Sequence, residues 1–318
     1  MTDPAMPFLS RAMSPADAQA AFAKLAGNAD IIIESIQLIR HKPGRRAVIE
    51  YRVRTNGVAR TLIGKARAKG LDQKSFDVTK RLSVEFSDQS AVCIPRPCDV
   101  LPEFNMWFQE KVAGESATKL LLTDAALTLA PRIAKAAHAI HGSAAAPSRT
   151  HTIGDEMQIL AERLSAVSAA KPEWRERLRN VLSECRSLAS SLAEAKLCPI
   201  HRDFHPGQLL VDGARLWLLD FDLFSLGDPA VDVGNFIAHV TELSLRHFND
   251  ENRLSNVERV IEEAYVALAG EEVRRRIRVY ALLTLARHIY ISTQFEERRP
   301  FTEAILSDCE RRLAATEF

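Results

Sequence analysis

Two short apolar runs, Leu209 to Val211 and Leu216 to Leu219, flank Asp212-Gly213 within a part of the chain whose other segments carry helical periodicity. Asp-Gly between such runs is a strong hairpin signal, because glycine supplies the positive φ that a tight turn needs. With a two- or three-residue loop, antiparallel register sets Asp220 opposite His205 or Pro206. Residues 203 to 208 and 220 to 222 are thereby predicted to converge at the open end of the hairpin. Two acids, Asp203 and Asp220, meet the amide of Gln208 there, and that is where function is expected.

The first third of the chain reads as β-rich. From Arg46 to Arg54 the residues alternate cleanly, with Ala47, Ile49, Tyr51 and Val53 on one face and Val48, Glu50, Arg52 and Arg54 on the other, as in a half-buried strand. The stretch Ile31 to Arg40 is also strand-like, and Lys42-Pro43-Gly44-Arg45 between the two is a turn signal, so a hairpin is predicted. A third strand runs from about Arg60 to Ala66 after the Asn56-Gly57 turn and carries Lys65 near its end. A helix from Asp72 to Phe86 sets Leu71, Val78, Leu82 and Phe86 on one face, and Met106 to Val112 reads as a further strand. Beyond Gly114 helices take over: Thr123 to His141, about Glu156 to Leu192, and most of the chain after Asp228, with breaks at Ala144 to Pro147 and near Pro300. No repeat or low-complexity tract interrupts this order. Two regions follow, 1–113 and 114–318.

Charge and composition exclude several partners. The 42 basic and 41 acidic residues are mixed along the chain, so no electrostatic footprint for nucleic acid or an anionic membrane emerges. A small, roughly neutral partner is expected. The start lacks a basic segment leading into an apolar stretch, and no apolar run approaches the ~18 residues of a membrane span, so neither signal peptide nor span is expected. The five cysteines are scattered without a C-x-x-C pair and read as reduced thiols of a cytoplasmic protein. Cys93 and Cys98 with Pro95 and Pro97 between them resemble half a metal site, but a second half is missing.

The densest pattern is His201-Arg202-Asp203-Phe204-His205-Pro206-Gly207-Gln208, then Leu218-Leu219-Asp220-Phe221-Asp222, then Gly227-Asp228-Pro229-Ala230-Val231-Asp232. It resembles the aminoglycoside phosphotransferase and choline kinase-like family, whose motifs run H-x-D-x-x-x-x-N, a short hairpin, D-x-D and G-D-P. The resemblance is closest over about 198–236, while the β-rich start with its strand lysine and the helical remainder follow the family's order. It implies an α+β, two-lobed protein kinase-like fold with a β-rich N-terminal nucleotide-binding lobe (1–113) and a mainly helical catalytic and substrate-binding lobe (114–318). The implied activity is transfer of the γ-phosphate of ATP to a hydroxyl of a small molecule, with Mg²⁺ as cofactor.

Phosphoryl transfer asks the protein to position phosphates, neutralise charge and orient the attacking hydroxyl. By the resemblance, Asp203 is the carboxylate that takes or orients the hydroxyl proton, and Asp220 holds Mg²⁺, since a hard cation prefers anionic oxygen. Asp222 is open between a second metal contact and a role in holding the loop. Gln208 stands where the family usually has Asn; its amide oxygen is the same kind of ligand, displaced by about 1.5 Å, one C–C bond. His201 is expected to brace the loop from inside, and His205 to pack or stabilise the hairpin rather than touch substrate. Lys65 is the candidate for the strand lysine on the α- and β-phosphates, with its acidic partner open among Asp72, Asp77 and Glu85. The glycine-rich loop of protein kinases is absent; the turn around Gly44 is open between approaching the phosphates and lying exposed. Gln109-Glu110-Lys111-Val112 corresponds to the hinge that holds adenine through backbone groups. Asp228 reads as a helix N-cap before Pro229 at the first helical position, with Asp232 in the first turn.

Three functions compete on this evidence. A metabolite or antibiotic kinase accounts for Asp203, Asp220 and Lys65 together. A catalytically weak, pseudokinase-like nucleotide-binding module draws on Gln208 and the unassigned partner of Lys65. A protein kinase is disfavoured, because only eleven residues separate Asp220 from Asp232, too few for a long activation segment. After Phe236 the helices hold 14 acidic and 12 basic residues, not the carboxylate excess expected around a polycationic aminoglycoside. The acceptor and the oligomeric state stay open.

Overall fold

The alternating segment 46–54 becomes strand β2 of a five-stranded antiparallel sheet in the computed structural model, which describes residues 3–25, 30–87 and 89–315. The chain divides into two units, Met1–Gly114 with Trp217–Leu219, and Glu115–Leu216 with Asp220–Phe318. The first unit holds α1 (Leu9–Ala12), α2 (Pro15–Phe22), β1 (Ile32–Lys42), β2 (Arg46–Thr55), β3 (Val58–Arg67), α3 (Gln73–Glu85), β4 (Val92–Cys93), β5 (Pro97–Leu101) and β6 (Met106–Glu110). Its sheet runs β1-β2-β3-β6-β5.

Ala47, Ile49, Tyr51 and Val53 are all at most 1% exposed, so the predicted inner face of β2 is the face that meets the core. Against it lie Phe22 from α2 and Phe108 from β6, whose ring centroids are 5.0 Å apart and lie 5.0 and 5.7 Å from Tyr51. Edge-on aromatic contacts of this kind add about 0.5–1.5 kcal/mol to area burial. The Tyr51 hydroxyl, which would otherwise be stranded, donates to the Ala12 carbonyl at 2.9 Å. Gly64 on β3 is required by packing: a Cβ there would sit 2.4 Å from Met106 Sδ. β3 is thereby pressed onto β6 next to Lys65, which fixes the depth of that lysine.

Two local expectations shift. Glu50, assigned to the outer face of β2, is only 4% exposed and is held by Lys111 Nζ at 2.6 Å. The buried stripe of α3 runs through Ser75, Thr79 and Leu82 rather than Leu71 and Val78. Its hydroxyls are satisfied locally, Ser75 Oγ by Asp72 at 2.9 Å and Thr79 Oγ1 by the Ser75 carbonyl at 2.7 Å. A hydrophobic-periodicity argument does not see such a stripe.

The second unit contains β7 (Glu115–Ser116), α4 (Ala117–Leu120), α5 (Ala126–His141), α6 (Ile153–Ala170), α7 (Arg175–Ser190), β8 (Cys198–Ile200), β9 (Leu209–Asp212), β10 (Arg215–Leu218), β11 (Ser225–Gly227), α8 (Ala230–Phe248), α9 (Ser255–Ala269), α10 (Arg274–Thr293) and α11 (Thr302–Ala314). The stretch 156–192 is two helices broken at Pro172, whose ring cannot donate to a continuing helix. α6 opens with a full capping box between Thr152 and Asp155. Helices α8 and α10 pack closely against each other. Gly234 allows their close approach, since a Cβ there would meet Ala281 N and Tyr280 Cβ at 2.7 Å. Among the described residues no helix is long and apolar enough to cross a membrane.

Candidate active site

The hairpin β9-β10 turns through Gly213, whose φ of +55° is the left-handed conformation expected of Asp-Gly. The loop from His201 to Gln208 enters it from β8. That loop departs from regular structure at once, because Arg202 has φ +69°, and Asp220 at the exit of β10 has φ +64°. Left-handed non-glycine residues cost on the order of 1–3 kcal/mol each and persist where their surroundings over-determine them.

The surroundings that do so begin with Asp232, 0% exposed in the first turn of α8. Its carboxylate accepts the backbone N–H of His201 at 2.7 Å and of Arg202 at 2.6 Å. His141 Nε2 lies 3.0 Å from the same carboxylate, and His141 Nδ1 lies 2.6 Å from the Tyr265 hydroxyl. The first-turn placement expected for Asp232 holds, but its function is tertiary: it clamps the loop that carries Asp203. Asp228 accepts the Ala230 N–H at 3.0 Å and pairs with Arg276 at 3.3 Å. Pro229, expected at the first helical position, is instead the N-cap. Burial pushes the Asp228 carboxyl above its ordinary range.

His201 is 0% exposed and its Nδ1 accepts the Asp203 N–H at 3.3 Å, so it braces the loop from inside. Asn235, one turn beyond Asp232, donates to the Phe204 carbonyl at 2.9 Å. Its Oδ1 accepts from Arg287 of α10 at 2.7 Å, and Arg287 also pairs with Glu156 at 3.1 Å. Both sides of Asp203 are thereby tied to buried side chains.

Asp203, His205 and Gln208 are partly exposed positions of this loop. Asp203 keeps 43% of its side chain exposed. Gln208 Nε2 donates to Asp203 Oδ2 at 3.3 Å, which orients the amide oxygen away from that carboxylate. His205 accepts the Gly207 N–H on Nδ1 at 3.1 Å, so its proton sits on Nε2, 3.9 Å from Asp203 Oδ2. Burial lowers the pKa of this histidine, opposed in part by the charges of Asp203 and, more weakly, Asp220. Asp222 lies in the short 3₁₀ turn that follows Asp220, and its backbone carbonyl accepts from Arg149.

The remaining candidates lie in the first unit. Lys65 pairs across the sheet with Val48 and Trp107, and its ammonium lies 4.7 Å from the centre of the Trp107 ring. Of its three candidate partners, Asp72 pairs with Arg67 at 2.7 Å and Asp77 accepts from Gln73 at 2.9 Å. Gly44 takes φ +69°, and its N–H donates to Asp3 at 2.9 Å. The Arg45 N–H closes the turn onto the Lys42 carbonyl at 3.0 Å. Those donors are committed inside the protein, so an anion at this turn would meet arginine side chains rather than Gly44. In the hinge segment the Lys111 N–H donates to Thr61 at 2.9 Å, while Gln109 pairs with Ile63 and Pro97.

Sequence reasoning missed Asn235, His239, Arg287 and Arg298, and saw Asp232 only as a helix residue. A signal exists for the first two: Asn235, His239, Glu242 and Arg246 recur four, three and four residues apart, a polar stripe on a helix that is otherwise apolar.

A phosphotransferase enzyme family model matches residues 50–269. No curated protein sequence matches the chain. Among solved structures, a choline/ethanolamine kinase family protein from Mesorhizobium loti is 18% identical with a TM-score of 0.61 over 94% of both chains. Aminoglycoside phosphotransferase APH(4)-Ia in complex with AMP-PNP and hygromycin B is 15% identical with a TM-score of 0.62, over 94% of this chain and 98% of that one. Choline kinase from Cryptosporidium parvum Iowa II is 13% identical with a TM-score of 0.57, over 95% and 93%. These likenesses establish the α+β, protein kinase-like fold. With its motifs embedded in a family match that spans more than half of its length, the chain belongs to the phosphotransferase enzyme family.

Proposed function

We propose that this protein is an ATP-dependent small-molecule kinase that transfers the γ-phosphate to a hydroxyl group, with Asp203 as its catalytic carboxylate. The observation that carries this reading is the clamp on the loop: a solvent-facing Asp203 between backbone groups fixed by Asp232 and Asn235. Such rigidity suits a group that must meet a hydroxyl in one orientation. Asp203 accepts or orients the hydroxyl proton, and His201 and Gln208 hold it in place.

Asp220, Gln208 and Asp222 offer hard oxygen donors of the kind Mg²⁺ takes. Among the described residues no three His, Cys, Asp or Glu side chains form a metal cage. A sparse donor set fits a cation that keeps its waters and is shared with nucleotide phosphates. When bound, Mg²⁺ would neutralise charge on the transferring phosphoryl group. Lys65, fixed in depth by Gly64, is assigned to the α- and β-phosphates, and the segment from Gln109 to Lys111 to adenine; residues 1–113 are then the nucleotide-binding region and 114–318 the catalytic one. The five cysteines are all free thiols, which supports a reducing, cytoplasmic setting.

A catalytically weak nucleotide-binding module is the second reading, favoured by one observation: the Gln208 amide already donates to Asp203. An ADP-release screen with ATP, Mg²⁺ and a panel of hydroxylated metabolites and antibiotics separates them. Turnover of any acceptor supports the kinase, and nucleotide binding without turnover across the panel supports the module.

A further inference from the structure

Beyond Asp203 the second unit presents a wall whose charge is opposite to that suited to an amine. His205 stacks on His239 of α8 with ring centroids 4.6 Å apart, and His239 meets His288 of α10 edge-on at 4.4 Å. His288 is 0% exposed, yet neither Nδ1 nor Nε2 has a hydrogen-bond partner. A stranded buried donor costs about 1–3 kcal/mol, so stability alone does not account for this row. One turn past His239, Glu242 is 3% exposed and stands between two guanidiniums, Arg246 at 2.9 Å and Arg298 at 3.8 Å.

One carboxylate faces two arginines. Arg246 takes the close contact, and Arg298 is left with a marginal one. Its guanidinium donates no hydrogen bond among the described residues and rests 5.2 Å from the centre of the Phe295 ring. A quarter of the Arg298 side chain, 26%, remains exposed. The helix rise from His239 to Glu242 is about 4.5 Å, so this surplus positive charge lies within a small molecule's length of the His205 end of the row. Burial lowers the pKa of all three histidines, and the charge of Arg298 acts on each in the same sense. The histidines are therefore neutral near pH 7 and supply no counter-charge. Of the carboxylates named here, Glu242 is taken by Arg246 and Arg298, and Asp203 faces the hydroxyl.

Resting on the kinase reading of Asp203, we propose that Arg298, with Arg246 behind Glu242, binds an anionic group, carboxylate or phosphate, carried by the hydroxyl acceptor. A planar fork with unused N–H donors is suited to either oxyanion. The acceptor is then a hydroxy acid or a sugar phosphate rather than an amino alcohol or an aminoglycoside.

The test uses inorganic sulfate as probe, titrated calorimetrically at constant ionic strength into full-length protein saturated with Mg²⁺ and AMP-PNP, which keeps sulfate off the nucleotide phosphates. Saturable binding is expected in the wild type, weakened at least ~10-fold in Arg298→Gln and tightened in Glu242→Gln, which removes the competing carboxylate. Arg298 is exposed enough that Arg298→Gln should fold normally, and an unchanged melting temperature checks this. Absence of sulfate binding, or equal binding in wild type and Arg298→Gln, overturns the inference while AMP-PNP binding leaves the kinase reading standing. Absence of AMP-PNP binding overturns both. In the ADP-release screen, turnover of hydroxy acids or sugar phosphates ahead of choline, ethanolamine and hygromycin B is expected. Turnover confined to the cationic compounds overturns the proposal.

Discussion

Asp232 Oδ2 accepts the backbone N–H of His201 at 2.7 Å across 31 residues of sequence, so the first turn of α8 sets the conformation of the loop that precedes the hairpin. The second oxygen takes the next N–H along, that of Arg202, and with it the left-handed φ of +69°. A buried acid spent on two consecutive backbone donors fixes a peptide plane, and that plane aims the Asp203 side chain.

Asp232→Asn keeps the shape but sets an amide NH₂ against one of the two N–H donors. We expect a loss on the order of 3 kcal/mol in urea unfolding and a fall in kcat larger than any change in nucleotide affinity. Wild-type stability would show that the clamp does not hold the loop.

Asp203→Asn should cut turnover by ~10² or more with ATP affinity nearly intact, because the lost group acts on the acceptor. Side-by-side turnover and nucleotide titration check it. Unchanged turnover removes Asp203 from the mechanism.

Lys65→Ala should weaken nucleotide binding and slow transfer without unfolding the protein, since among the described residues the ammonium makes a cation–π contact over Trp107 and no hydrogen bond or ion pair. Calorimetric ATP titration and a thermal melt separate the two effects. Loss of folding with wild-type nucleotide binding would make the lysine structural.

Much of this was legible because local rules and tertiary demands agree. The alternation over 46–54 named the buried face of β2, and Asp212-Gly213 named the turn between β9 and β10. Legibility ends where a side chain answers to something distant. Glu50 looked like a surface residue because the ammonium of Lys111 that buries it is 61 positions away. Asp232 looked like a helix-start acid because acids favour first turns, and no periodicity shows that its oxygens point back at residues 201 and 202. Arg298 follows the last turn of α10, where its partnership with Glu242 leaves no sequence signature at all.

Stability should also fall as pH rises through neutrality, for a reason located in α9. Burial raises the Glu258 carboxyl to about 7, and Thr241 Oγ1 donates to it at 2.8 Å. An acid whose folded pKa lies above its unfolded one contributes stability fully below the unfolded value near 4.5, and that contribution is lost as pH climbs to about 7. The expected loss between pH 5 and 8 is on the order of 2 kcal/mol, read by urea unfolding, and Glu258→Gln should flatten it. A wild-type profile as flat as the variant's would remove Glu258 as the source.

Gln208 is where this chain leaves its family's usual asparagine, and where kinase and weak module part. Its Nε2 donates to Asp203 at 3.3 Å, and under the proposed reading its Oε1 is the neutral ligand for Mg²⁺. If that oxygen serves the metal, Gln208→Ala must lower Mg²⁺ affinity in the presence of ATP, while Gln208→Asn should largely preserve it. The alanine variant also removes the hydrogen bond that holds the Asp203 carboxylate, so turnover is expected to stay below wild type even at saturating Mg²⁺. Titrating Mg²⁺ against ATP binding in the three forms reads the ligand role directly. An alanine variant with wild-type Mg²⁺ dependence would leave Gln208 as a brace for Asp203 alone, with the cation held by Asp220 and the phosphates.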